Sequence, residues 1–280
     1  MSTGERISNK EYRRREGVSS SDLKKIMKSP YHYKHYKDNP QDNDTPSLLF
    51  GRAYHKMCLE TSEFDTEFAV APNVDRRTKD GKQIWNDFVA ESEGKDIITD
   101  EMYEQVHEMR KVLMSTKFVP KLINGTHEMS FFWTDEDTGV KCKCRPDSYG
   151  MLGNTGILVD LKTTSDASTD GFMRQANKLF YDLQMAYYLD GLKACTGKDY
   201  EVLFIAQEKS DGYAVNILQA DNYFIEAGRE LYKQALQTYK ECCESGNFYG
   251  YMGADCEING LSVPKWLKDS MGDLEESEEN

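Results

Sequence analysis

Along the first 116 residues, apolar positions recur at spacings of three and four; from about residue 127 the spacing changes to two. The first spacing marks helices with one buried face, the second half-buried strands. Hydroxyl residues open SSSDLKKIM (19–27), a helix-start signal, and Pro30 interrupts the stretch that follows. SLLFGRAYHKMCLE (47–60) predicts a helix, 64–72 a short strand, 75–82 a basic loop, and 83–93 and 100–116 two more helices. The period-two region predicts a β-hairpin turning at 135–139, with Val140, Cys142 and Cys144 alternating with Lys141, Lys143 and Arg145. Asn154, Thr155 and Gly156 break the chain before a strand at 157–163. An amphipathic helix over 169–195, strands at 201–208 and 213–218 about a turn at Asp211 and Gly212, and a helix over 221–245 complete the pattern; residues 246–280 are weakly patterned. Helices, three strands, helix, strands, helix is the order of an α/β (α+β) domain with a mixed central sheet flanked by helices. The expected organisation is one domain over 1–265, with a helical part at about 17–116, a core at about 125–245, and an acidic, disordered tail at 266–280.

The strand at 157–163 carries unusual charge. Residues two apart share a face, so Ile157, Val159 and Leu161 turn one way and Leu158, Asp160 and Lys162 the other. Asp147 ends the preceding strand, 141–145, behind Pro146. If these strands are neighbours, the Asp147 and Asp160 carboxylates converge. Converged carboxylates repel, and a hard divalent cation resolves the conflict. Mg²⁺ takes oxygen ligands and leaves positions for water and phosphate; a lysine beside it can position or deprotonate a water and stabilise developing charge. The pattern P-D-x12-D-x-K therefore suits phosphodiester hydrolysis. The alternative reading is an Asp160–Lys162 ion pair on an edge strand.

Two other features bear on that choice. Gln184 and Tyr188 lie four apart on one face of the following helix, whose buried stripe is Leu183, Tyr187 and Leu192. Gly51 lies one turn before His55, where it permits close approach of the backbone.

Net charge is −13, which taken alone argues against a nucleic-acid partner. The charge is uneven: residues 1–38 hold ten Lys/Arg against five Asp/Glu, whereas GDLEESEEN at 272–280 is acidic without a base. The seven cysteines form no C-x-x-C pair and read as reduced, mostly buried thiols. No apolar run reaches the ~20 residues needed to span a bilayer, and the first residues carry no secretory h-region. The expected compartment is the cytoplasm, with no membrane partner.

Gly51 and His55, Glu128, Pro146 and Asp147, Asp160 and Lys162, then Gln184 and Tyr188 stand in an order that resembles the RecB-like branch of the PD-(D/E)xK nuclease superfamily. SSSDLKKIMKSPYHYKHY and RRTKDGKQIWNDF are similar to segments of its RecE (exonuclease VIII) group and phage or prophage relatives, and the resemblance spans roughly 15–250. It implies that Asp147, Asp160 and the Leu161 carbonyl hold Mg²⁺, with Mn²⁺ accepted, and that His55 completes the shell. It implies that Lys162 orients the attacking water, and that Gln184 and Tyr188 hold the Asp/Lys cluster or the scissile strand. Glu128 binds a second metal or caps the hairpin. The implied activity is exonucleolytic hydrolysis of linear double-stranded DNA, 5′ to 3′, leaving 3′ overhangs for recombination. The alternatives are a single-strand or structure-specific nuclease of the same branch, or a catalytically silent DNA-binding module.

The group implies a ring-shaped homo-oligomer, a tetramer, acting with a RecT-type single-strand-annealing recombinase in a bacterial cell. In such a ring only the channel need be basic. Channel candidates are Arg13, Arg14, Arg15, Lys24, Lys25, Lys28, Arg76, Arg77, Lys79 and Lys82. Ser20 and Ser21 could hold a 5′ phosphate at a helix start or merely cap the helix. Ser29 stands where cluster-bearing relatives place a cysteine, and Cys242, Cys243 and Cys256 lack a four-ligand spacing, so no iron–sulfur cluster is expected.

Overall fold

The computed structural model describes residues 4–40, 45–210 and 212–271. Its first half is mostly helical: α1 (Asn9–Arg14), α2 (Ser20–Lys28), α3 (Pro30–Asp38), α4 (Pro46–Leu59), α5 (Phe64–Glu67), β1 (Phe68–Val70), α6 (Lys79–Glu91), β2 (Asp96–Ile98), α7 (Asp100–Ser115) and α8 (Val119–Leu122). The second half holds β3 (Thr126–His127), β4 (Phe131–Thr134), β5 (Lys141–Cys144), β6 (Ser148–Leu152), β7 (Thr155–Thr164), α9 (Thr169–Lys178), α10 (Tyr181–Thr196), β8 (Glu201–Glu208), β9 (Val215–Gln219), α11 (Asn222–Ser245) and α12 (Lys265–Met271).

The main sheet has the order β3-β6-β7-β8-β9, with β7 at its centre. β7 runs parallel to β8 and antiparallel to β6, and the other pairs are antiparallel, so the sheet is mixed. The alternation in ILVDLK sorts as its period demands. Ile157, Val159 and Leu161 pack with Tyr54 and Met57 of α4 and Met109 and Leu113 of α7. Leu158 packs on the other face with Leu183 and Tyr187 of α10 and Leu236 of α11. Both faces are therefore covered, as a central strand with a parallel partner requires. Asp160 is 1% exposed and β7 is central, which removes the alternative of an ion pair on an edge strand.

Five expectations need correction. The hairpin at 131–144 does not join the main sheet; β4 and β5 form a separate ribbon with Trp133 opposite Cys142. The ribbon lies on α10, where Trp133 meets Tyr187 at 4.9 Å between ring centroids. Gly191 is needed there, because a Cβ would sit 2.5 Å from the Trp133 ring. Consequently the antiparallel neighbour of β7 is β6, not the 141–145 strand. The helix over 169–195 breaks before α10, where Phe180 takes a left-handed backbone at φ 53°. Residues 64–72 begin as α5 rather than as strand, and the 75–82 loop ends early, since Thr78 caps α6 by accepting the Gly81 N–H.

Five cysteines are buried, Cys243 and Cys256 are exposed, and all seven are free thiols. In the tail, residues up to 271 form α12, and 272–280 lie outside the described residues. Among the described residues no helix is long and apolar enough to cross a membrane.

Candidate active site

The β6–β7 register builds the site. Ser148 pairs with Val159. Continuing that antiparallel register by one residue sets Asp147 opposite Asp160, at the end of β6 where Pro146 removes a ladder donor. The Leu161 N–H donates to Asp147 Oδ2 at 2.8 Å.

His55 comes from α4, which Thr45 caps and Pro46 opens. Ala53, Tyr54, Met57 and Cys58 bury one side of that helix and leave His55 half-buried. Its Nδ1 lies 3.5 Å from Asp147 Oδ2. Glu128 follows β3 with a left-handed backbone at φ 51°. A non-glycine residue there is strained, and such strain gathers at functional sites. The turn brings its N–H to the Asp147 carbonyl at 3.3 Å. Arg145 braces it, its Nε reaching Glu128 Oε2 at 2.9 Å and the Glu128 carbonyl at 3.0 Å. His55, Glu128 and Asp147 can each offer a ligand atom within 4.8 Å of the others.

Beside this trio lies a second cluster. Lys162 Nζ contacts Asp160 Oδ2. Gln184 Nε2 donates to Asp160 Oδ1 at 3.3 Å, and Lys24 Nζ donates to Gln184 Oε1 at 3.0 Å. Tyr188, one turn beyond Gln184, is half-buried against the main core. Burial, with the Asp160 and Asp147 charges among lesser causes, raises its phenol.

The charges are in conflict without a cation. Burial, then the Asp147 charge, pushes Glu128 up to about 7. Burial would raise Asp147 too, but His55, Lys162 and the Leu161 N–H outweigh it and hold the acid at about 2. Asp160 is raised, chiefly by burial and with Asp147 adding to it, although Lys162 opposes the shift. Burial opposes the charge on Lys162, yet the two aspartates raise it above its ordinary value. An imidazole nitrogen and two carboxylates, one unable to ionise freely beside the other, are a donor set that fits a divalent cation. Asp147 and His55 of the expected ligand set stand together, with Glu128 beside them. The structure groups Glu128 with His55 and Asp147, and it engages Asp160 with Lys162 and Gln184.

The site opens into a cleft of about 920 Å³, lined by His55, Glu128 and Lys162 and by the bases Arg52, Arg174, Lys178 and Lys209. Those four bases carried no motif. Arg145 had one usable signal, its position directly before Pro146 and Asp147. The basic loop lies outside the cleft lining: Arg76 stacks over Trp85 at 3.7 Å, Arg77 pairs with Asp75 at 3.0 Å, and Lys79 and Lys82 are exposed in the first turn of α6. The start of α2 is also different from expectation. Its cap is Ser19, not Ser20, which is buried, or Ser21, which is exposed. Asp22 accepts the Ser19 N–H at 3.0 Å and pairs with Lys37 at 2.9 Å.

Residues 19–258 match the family described as a PDDEXK-like domain of unknown function (DUF3799). The chain belongs to this PDDEXK-like family. The mixed sheet with helices on both faces is accordingly a PD-(D/E)xK nuclease fold, with Asp147, Asp160 and Lys162 at its centre. A presumed exonuclease of Eubacterium rectale has a similar structure, with a TM-score of 0.64 and 15% identity over 96% of this chain and 99% of that one. A phage-related exonuclease from Haemophilus somnus scores 0.34 at 16% identity, covering 85% of this chain and 100% of that one. No curated protein matches the chain. At 15% identity the first likeness establishes a shared fold.

Proposed function

We propose that the chain is a metal-dependent deoxyribonuclease acting on the ends of linear duplex DNA, from 5′ to 3′, and leaving 3′ overhangs for recombination. The observation that carries the hydrolytic reading is the His55–Glu128–Asp147 trio beside Lys162 and Asp160 at a cleft whose lining includes Arg52, Arg174, Lys178 and Lys209. The order of the motifs, similar to that of the RecE group, supports the duplex substrate and the polarity.

When bound by these residues, Mg²⁺ or Mn²⁺ supplies Lewis-acid polarisation of the phosphodiester and a more acidic water. Asp147 stays ionised and is aimed by the Leu161 N–H. Arg145 orients Glu128. Lys162, raised by its two aspartates, stays protonated at neutral pH. In that state it is a fixed cation that orients water and stabilises charge on phosphate. Asp160 holds that ammonium in place.

Wild type and Lys162→Ala are to be incubated with end-labelled linear duplex, closed circular duplex and single strands, with and without Mg²⁺. Release of nucleotides from the 5′ ends of linear duplex alone, abolished in Lys162→Ala, is expected. Cutting of closed circles overturns the end requirement, and preference for single strands shifts the reading to a single-strand nuclease. The proposal extends to a ring-shaped homotetramer in the bacterial cytoplasm, paired with a RecT-type annealing protein. A monomer in sedimentation at micromolar concentration counts against the ring.

A further inference from the structure

Lys24 lies outside the lining of the cleft, yet its ammonium points into the reactive cluster. It sits on α2 between Leu23 and Ile26, which are 0% and 2% exposed, and it is itself only partly exposed. Its Nζ donates to Gln184 Oε1 at 3.0 Å and lies 5.4 Å from the centroid of the Tyr181 ring. Lys162 Nζ approaches the same ring at 5.1 Å. Two ammonium groups thus share one aromatic ring next to Asp160.

The chemistry of the amide gives this arrangement a direction. An ammonium only donates hydrogen bonds, whereas an amide has a donor end and an acceptor end. Lys24 must therefore take the carbonyl oxygen of Gln184, which leaves the NH₂ for Asp160, where it donates to Oδ1 at 3.3 Å. With the amide reversed, its oxygen would face the Asp160 carboxylate and its NH₂ would face Lys24. Both contacts would be repulsive. Asp160, held on Oδ1 by Gln184, presents Oδ2 to Lys162. Lys24 keeps this place although burial, and then the charge of Lys162, lowers it to about 8.

We propose that Lys24 is a positioning residue: by fixing the direction of the Gln184 amide it orients Asp160 and, through it, Lys162. The proposal rests on the nuclease reading for its kinetic consequence and on geometry alone for the contact.

A double-mutant cycle with Lys24→Met and Gln184→Ala, assayed on linear duplex with Mn²⁺, tests it. Lys24→Met is expected to lower kcat about tenfold with KM for DNA little changed, the scale of losing a residue that orients a metal-site group. Lys24→Arg, which keeps a donor, recovers most of the loss. In the Gln184→Ala background Lys24→Met has no further effect, because its route is gone. Gln184→Glu leaves Lys24 its acceptor but removes the donor to Asp160, and is expected to lose kcat as well. This variant keeps the test decisive if Lys24→Met does not fold. Independent, multiplying effects in the cycle overturn the proposal, as does a Lys24→Met that raises KM alone, or full activity in Gln184→Glu. The Gln184 side-chain amide signals in NMR need no turnover. Faster proton exchange there in Lys24→Met supports the contact, and unchanged exchange refutes it. An inactive wild type removes the nuclease reading while the amide signals still decide the contact.

Discussion

The Leu161 N–H donates to Asp147 Oδ2 at 2.8 Å, so the backbone of β7 aims the acid that β6 carries. Asp147→Asn keeps an oxygen for that N–H but removes the charge. Metal binding and nuclease activity are expected to fall by more than about 100-fold, with little loss of stability. Asp147→Ala leaves the N–H without its acceptor and is expected to lose a further ~1–3 kcal/mol of stability. Calorimetric titration with Mn²⁺ and urea unfolding of both variants separate the effects. Wild-type Mn²⁺ affinity in Asp147→Asn removes Asp147 from the metal site.

Lys162 and Asp160 make a pair in which the carboxylate is 1% and the lysine side chain 16% exposed. Removing only the ammonium strands a buried carboxylate, so Lys162→Met is expected to lose roughly 3–5 kcal/mol of stability. Neutralising the acid as well, in Asp160→Asn/Lys162→Met, recovers most of it without restoring activity. Equal stability of the single and double variants in urea would show that Lys162 contributes nothing to holding Asp160.

Arg174 and Lys178 lie on α9 and line the cleft, with Arg174 3.8 Å from Asp166, whereas Arg77 is held closer, at 3.0 Å from Asp75, on a loop outside it. Arg174→Ala and Lys178→Ala are each expected to weaken DNA binding and to reduce the salt slope of log K by about 1. Arg77→Ala is expected to change both little. Fluorescence anisotropy across a salt series, with Ca²⁺ replacing Mg²⁺, measures this; the opposite ranking would put the DNA path over α6.

Part of this site was legible in the chain and part was not, for physical reasons. ILVDLK announces β7 because a central strand must alternate between two apolar faces, and charge inside such a run has few uses. The spacing from Asp147 to Asp160 is set by one antiparallel turn, so it survives in sequence. β6 was missed because SYGML has no alternation; its strand character comes from pairing with β7, a long-range effect. The membership of Glu128 in the metal trio depends on a backbone at φ 51°, which no side-chain pattern encodes. Lys24 looked like one more solvated base; only the packing of α2 between Leu23 and Ile26 turns it inward.

Glu128 also makes stability depend on pH. Its carboxyl rises from the ordinary 4.5 to about 7, first by burial and then by the Asp147 charge, with Arg145 and His55 opposing. Between those values the folded protein binds a proton that the unfolded chain has released. Stability of the metal-free protein therefore falls as pH rises from 4.5 towards 7. Asp147 works in the opposite sense and in another window. Its depressed value adds stability that is full above 3.8 and is lost as pH falls towards about 2. His55 is raised above 6.5, so its contribution is present below that value and is lost only as pH rises past its folded value. The interval from 4.5 to 6.5 consequently excludes Asp147 and His55 and leaves Glu128, with Asp160, which burial also raises above 3.8, acting in the same sense. Glu128→Gln is expected to remove most of the slope there in urea unfolding, and Mn²⁺ at pH 7 is expected to restore stability to wild type but not to the variant. An unchanged slope in Glu128→Gln would show that neither burial nor the Asp147 charge raises this carboxyl in the folded protein.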